Sequence, residues 1–256
     1  MACQSLKSFG TGEDKRNQNA CGGYRLGHSR LARYLHQPTT KFRSTTMSEC
    51  RNFLDFFSMH NKERLDGLSE IYFSEMTHQE RTMAFGYLLK MVKAGGSEES
   101  INGLFLADQK RACLIVAELL KSGSLRDEAR VVAAWNLFRV EPDSSLLSVF
   151  IQLMSSADKR IRAKAAYYVP SNMATSDLID GLKAMVRTET DTLASINAAN
   201  KLLECYGITR ESVEKEEFSR LYRGLRSDDS SDREQIFKQL DRLYKPRVVA
   251  SEGPDL

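Results

Sequence analysis

The chain has 256 residues, 41% of them hydrophobic and 28% charged, with a formal net charge of +3, a profile that fits one large or two modest globular domains. Its longest apolar stretches, such as Leu114 to Ala117 and Leu146 to Ile151, fall short of the roughly 20 apolar residues that a membrane-spanning helix needs. The five cysteines, Cys3, Cys21, Cys50, Cys113 and Cys205, form an odd set with no CxxC pair, which points to free thiols in a reduced cytoplasm and away from a disulfide framework or a zinc site.

The charge is unevenly spread. Residues 1–46 carry eight Lys/Arg against two acidic residues, which leaves 29 basic and 32 acidic residues and a net charge of −3 for 47–256. The basic leader mixes Gly, Ser, Thr, Gln, Asn and Arg without periodicity, so it cannot offset its ordering entropy and is expected to be disordered. It lacks the apolar core of a secretory signal. Three readings stay open for it: an upstream segment with Met47 as the natural start, a disordered arm, or a targeting peptide. His28 and His36 have no cysteine at ligand spacing and read as solvated loop residues.

After Met47 nearly every segment has a helical period and almost none alternates as a strand would. Phe53, Leu54, Phe56 and Phe57 open an apolar helix, and Leu65, Leu68, Ile71 and Tyr72 mark another. Thr77-His78-Gln79-Glu80 has the form of a capping box, starting a helix that runs to about Lys93 and stops at Gly95-Gly96. Ile101, Leu104 and Phe105 lie on the next helix, and Cys113 to Leu120 on one closed by Ser122-Gly123.

A phrase then recurs about 32 residues apart: Arg130-Val131-Val132-Ala133-Ala134, Arg162-Ala163-Lys164-Ala165-Ala166 and a degenerate Ser195-Ile196-Asn197-Ala198-Ala199. Leu114, Leu146 and Leu178 head the apolar segments between, again 32 apart. The first helices of these units are expected over Cys113–Lys121, Ser144–Met154 and Asp177–Val186, and the second ones from near Arg126, Asp158 and Asp191. Aligning the second helices places Ala129, Ile161 and Ala194, then Ala133, Ala165 and Ala198, then Leu137, Val169 and Leu202 on one apolar stripe. Pro142 falls between helices, and Pro170 should end its helix at or before Val169. A helix pair at this period indicates an all-α chain of stacked antiparallel pairs, an α-solenoid, in which each unit buries its apolar face on its neighbours. Thr209 is then expected to begin a charged helix with Val213, Phe218, Leu221 and Leu225 apolar and Glu211 and Lys215 paired on its solvated face, and Ser231-Asp232-Arg233-Glu234 to cap a last helix before Lys245-Pro246. The organisation is thus a leader over 1–46, repeats over 47–207, capping helices over 208–245 and a disordered tail over 246–256.

Asp158-Lys159-Arg160-Ile161-Arg162-Ala163-Lys164-Ala165-Ala166 resembles the second helix of a HEAT-like repeat of the short, PBS-lyase type, in which an acid, an aliphatic residue, an arginine and an alanine pair recur in that order. Glu128-Ala129-Arg130 with Ala133-Ala134 matches in part; the third copy keeps Asp191 and Ala198-Ala199 but has Ser195 where the arginine should be. The resemblance implies an α–α superhelix of armadillo-like type and a ladder of ion pairs between adjacent repeats, here Arg130 with Asp158 and Arg162 with Asp191.

The same register puts Trp135, Tyr167 and Asn200 at one outward position, Val132, Lys164 and Asn197 at another, and Arg139, Ser171 and Glu204 at a third. Trp135 and Tyr167 are candidate anchors for a partner, with Arg139, Lys164 and Asn200 beside them, or else they pack against the adjoining repeat. No template for a catalytic site, cofactor or metal is met: His60 and His78 stand outside any HExxH pattern, no phosphate loop is present, Asp228-Asp229 lies in a polar loop, and Cys113 sits in an apolar helix as an inert thiol would. The expected function is therefore non-enzymatic binding of a protein partner, with a bacterial adaptor or a toxin-neutralising inhibitor as one instance. The resemblance to HEAT-like solenoids implies nucleic-acid binding of the DNA-repair type as the alternative, which would need a basic face that Glu128 and Glu204 interrupt. The resemblance to short HEAT-like proteins implies a chromophore lyase as a third, with no ligand pocket legible in the sequence.

Overall fold

In the computed structural model, residues 48–60 and 67–246 are described; the readings of the leader, of Leu65 and of the tail beyond Pro246 lie outside them. The described residues are all-α, with twelve α-helices and no strand. They are α1 (Ser48–Phe56), α2 (Ile71–Ser74), α3 (His78–Lys93), α4 (Glu98–Ala107), α5 (Gln109–Lys121), α6 (Asp127–Val140), α7 (Leu147–Leu153, led in by a 3₁₀ turn at Ser144–Leu146), α8 (Lys159–Tyr168), α9 (Ser176–Thr188), α10 (Thr192–Cys205), α11 (Lys215–Leu225) and α12 (Ser230–Leu243). No described helix is long and apolar enough to cross a membrane.

The helix starts follow from side chains that satisfy the first free backbone N–H groups. Thr77 and Glu80 form the full capping box of α3, Asp158 caps α8, and Asp191 caps α10 by accepting from the N–H of Leu193 and Ala194. The stops are equally local. Gly95 and Gly96 end α3 and Gly207 ends the turn after α10, all at positive φ, a backbone region that costs glycine little. Pro170 stops α8 at Tyr168, leaving Val169 as its C-cap.

Neighbours in sequence pack as pairs: α3 with α4, α5 with α6, α7 with α8, α9 with α10 and α11 with α12. Across the pairs, α4, α6, α8 and α10 pack on one another in succession, and α9 contacts both α7 and α12. All nine residues of the expected stripe are buried, with Ala133, Ala165 and Ala198 fully so. Alanine at the crossing lets backbones come close enough for side-chain hydrogen bonds between successive helices. Asn136 Nδ2 donates to Asn102 Oδ1 at 2.8 Å, and Asn197 Nδ2 donates to the Ala163 carbonyl at 2.9 Å. The core divides into two apolar clusters, one from Phe53 to Leu137 and one from Val131 to Leu240. Helix α6 belongs to both: Ala129, Val132, Ala133 and Leu137 face the first, and Val131 and Ala134 the second.

Several expectations are corrected. Leu114 is 77% exposed whereas Leu178 is fully buried, so the leucines 32 apart do not share a structural position. Ile71 is 79% exposed and its helix spans only Ile71–Ser74 among the described residues. Helix α4, which carries Ile101, Leu104 and Phe105, packs against α3, α5 and α6. Helix α11 begins at Lys215, not Thr209, because Ser212 Oγ accepts from the Thr209 N–H at 2.7 Å and donates to the Gly207 carbonyl at 2.9 Å, holding a turn. Glu211 and Lys215 therefore do not share a helix face. The cap of α12 is Asp229, and Ser231 lies inside the helix.

Candidate functional site

The three positions expected to face outward on α6, α8 and α10 have different settings. The position of Val132, Lys164 and Asn197 faces the preceding helix of the row: Val132 is fully buried in the first cluster, Asn197 bonds the α8 backbone, and Lys164 reaches back over α6 to α4. It is a seam and not an outward face, because each helix of the row has the previous one against this side. Lys164 Nζ donates to Glu98 Oε2 at 2.5 Å and also to Glu128 Oε1. Burial works against its charge, but the bonds to Glu128 and Glu98 outweigh it and raise the ammonium pKa above the lysine norm. It is thus a fixed cation, with no tendency to act as a base or nucleophile.

Glu98 is the first residue of α4, behind its cap Ser97, where an acid also complements the helix dipole. Its second oxygen accepts from the Tyr168 hydroxyl at 2.8 Å. Lys164 and Tyr168 are one turn apart on α8, so one carboxylate from α4 holds two consecutive turns of α8. Burial first, and then the Glu98 carboxylate, push the Tyr168 phenol well above its ordinary pKa. Around Tyr168 the aromatic rings gather. Trp135 lies at 5.9 Å and 49° to it, and Tyr167 at 5.1 Å and edge-on. Trp135 is half-buried and packs with Tyr168 against the second cluster, so packing takes part of its surface. Tyr167 is half-exposed. Asn200 is half-buried on α10, and Arg139 is exposed and makes no ion pair with a described residue. At the foot of this face Ser171 and Lys201 both donate to Glu204, at 3.0 and 2.7 Å.

The five predicted residues, Trp135, Arg139, Lys164, Tyr167 and Asn200, therefore all lie on α6, α8 and α10, with Lys164 in the seam between them. Glu98 and Tyr168 were missed. The i,i+4 spacing of Lys164 and Tyr168 was a usable signal; Glu98, 66 residues from Lys164, gave none. The face carries mixed charge, with Glu98, Glu128 and Glu204 set against Lys164, Lys201 and Arg139.

The ladder pairs also differ from those expected. Arg162 meets Glu189 instead of Asp191, with Nε to Oε2 at 2.6 Å and Nη2 to Oε1 at 2.8 Å. Its Nη1 donates to the carbonyls of Ser156 and Ala157. Asp191 is drawn to the backbone N–H groups it caps and takes Lys159 at 3.1 Å; the longer Glu189, just before it, reaches the arginine. Arg130 bonds Asp127 at 3.2 Å and Gln152 at 2.6 Å, not Asp158, which caps α8.

Among the described residues no group of three or more His, Cys, Asp or Glu is placed to hold a metal. Burial raises the Cys113 thiol and pushes Cys205 up to about 12, which disfavours the thiolate form of both. No family model, no curated protein and no solved structure matches this chain.

Proposed function

We propose that the chain is a non-enzymatic, cytoplasmic protein-binding module, a HEAT-like solenoid that docks a protein partner on the run of α6, α8 and α10 around Trp135, Tyr167 and Tyr168. The stacking is supported by the ordered row of α4, α6, α8 and α10 and by side-chain hydrogen bonds joining residues 33 to 36 apart, slightly more than the repeat period of about 32 residues. The observation that carries the binding role is the cluster of three half-buried aromatic rings held from below by the Glu98 carboxylate. Rigid aromatic surface costs little side-chain entropy on docking and dominates binding hot spots. The mixed charge beside it favours a protein surface over a polyanion, which would select an uninterrupted basic face. An adaptor, or an inhibitor that occupies a toxin, is the form of partner recognition this face suits.

The test is an affinity pull-down from the native host with the full chain, beside Tyr167→Ala and a Trp135→Ala, Tyr167→Ala pair. One specific protein, weakened by the first and lost with the second, is the expected result. Nuclease-sensitive nucleic acid in the eluate, or a protein retained by both variants, would sink the reading.

A further inference from the structure

The repeat ends in an arginine whose partner is missing. Arg233 stands four residues after the cap Asp229, as Arg162 stands four after Asp158. It also donates Nη1 to the carbonyl of Ser227 six residues back, as Arg162 does to Ser156. There the likeness stops. The Nε of Arg162 meets Glu189 at 2.6 Å, whereas the Nε of Arg233, like that of Arg130, is buried and bonds no described residue. A guanidinium N–H taken out of water without an acceptor is costly.

Arg233 lines a cleft of about 350 Å³ between the starts of α10 and α12 and the end of α11. The corresponding cleft one repeat earlier, about 370 Å³, is lined by Arg162 and closed electrically by Glu189. In the later cleft, Ser195 occupies the place of that arginine and lines the wall with Thr192. A second cation enters from α11: Arg226 is exposed, lies over the Tyr222 ring, and donates to the Tyr222 hydroxyl at 3.4 Å. Neither Arg226 nor Arg233 makes an ion pair with a described carboxylate. Of the acids that line the cleft, Glu189 is already bonded to Arg162 and to the N–H groups of Thr190 and Asp191, while Asp228 makes no ion pair with either arginine. The third arginine, Arg187, is neutralised by Glu234.

We infer that this cleft binds an oxyanion of the phosphate class, held by the guanidinium groups of Arg233 and Arg226 with the hydroxyls of Thr192 and Ser195 as further donors. Two guanidinium groups whose N–H donors are not spent on a described carboxylate match the several acceptor oxygens of a phosphate dianion. This site is separate from the aromatic face proposed for the protein partner.

Calorimetric titration of the full chain with inorganic phosphate, at ionic strength held constant with chloride, tests the assignment. Saturable binding is expected, weakened about tenfold or more by Arg233→Gln and by Arg226→Gln and unchanged in the control Arg210→Gln, whose guanidinium lies over Phe218 outside the cleft. Arg233 also anchors the Ser227 turn, so Arg226→Gln, which removes only an exposed side chain, carries the decision. Heat no greater than that of chloride, or wild-type affinity in Arg226→Gln, would overturn the inference.

Discussion

Glu189 shows how a single side chain concentrates the electrostatics of the molecule. Its carboxylate is almost wholly buried, and the two bonds from Arg162 hold its pKa below the ordinary glutamate value of 4.5. A depressed acid stabilises the fold above its unfolded pKa, and that contribution fades as pH falls through the folded value. Glu189→Gln should therefore cost about 2 kcal/mol at neutral pH, and the gap from the parent chain should close on acidification below the glutamate range. Urea unfolding of both chains from neutral to acid pH measures this, and a gap that ignores pH would contradict it. Lys164 gives a weaker effect because Glu128 is about half exposed. Lys164→Met, which leaves Glu98 and Glu128 without their shared cation, should cost about 1 kcal/mol, and Glu98→Gln in the same chain should return part of it; no recovery in the urea midpoint would mean that the two carboxylates do not interact. The sequence made the arginines of the ladder legible but misassigned their acids. Asp158 and Asp191 were read as ladder members since spacing along the chain cannot distinguish a carboxylate spent on backbone N–H groups from one left free for a guanidinium.

At the scale of the element, helix ends were legible wherever one side chain decides them. Thr77 with Glu80, Asp158, Asp191, Gly95-Gly96 and Pro170 all act within one turn, so local sequence suffices. The start of α11 was misplaced since Ser212 offers the backbone a competing turn, and Leu114 and Ile71 were misplaced because an apolar side chain does not by itself tell which face is covered. Packing between elements decides two glycines in opposite directions. Gly86 on α3 has no atom within 4 Å of where a Cβ would stand, whereas at Gly224 on α11 that Cβ would lie 2.6 Å from Ile236 Cγ1. Gly86→Ala should thus gain up to about 1 kcal/mol in helix propensity. Gly224→Ala should lose about 1 kcal/mol net, as overpacking against a stiff β-branched neighbour exceeds that gain. Thermal midpoints that move the same way in both variants would refute the packing argument at Gly224.

Across the whole molecule, the two apolar clusters meet in α6, whose residues from Ala129 to Phe138 are buried on nearly every side. An element that both cores need cannot open without breaking contacts in each, so its amides should exchange only through the global transition. Helices α11 and α12, which join one cluster alone, should exchange earlier. Hydrogen exchange in native conditions resolves this, and faster exchange in α6 than in α12 would show that the cores do not share it energetically. The packing of α6, α8 and α10 on one another was visible in the alanine phrase, since close crossing requires small residues at a fixed period. The gathering of Glu98, Lys164, Tyr168 and Trp135 was not, since it depends on side chains from three helices reaching across the row.

The chain has one tryptophan, and it lies on that shared helix with its indole against the Tyr168 ring. The protein therefore has its own optical gauge. Excited selectively, Trp135 emits from the helix that both cores share, against the second cluster, so a single unlabelled emission spectrum registers loss of that packing and, under the proposed function, would register arrival of a partner.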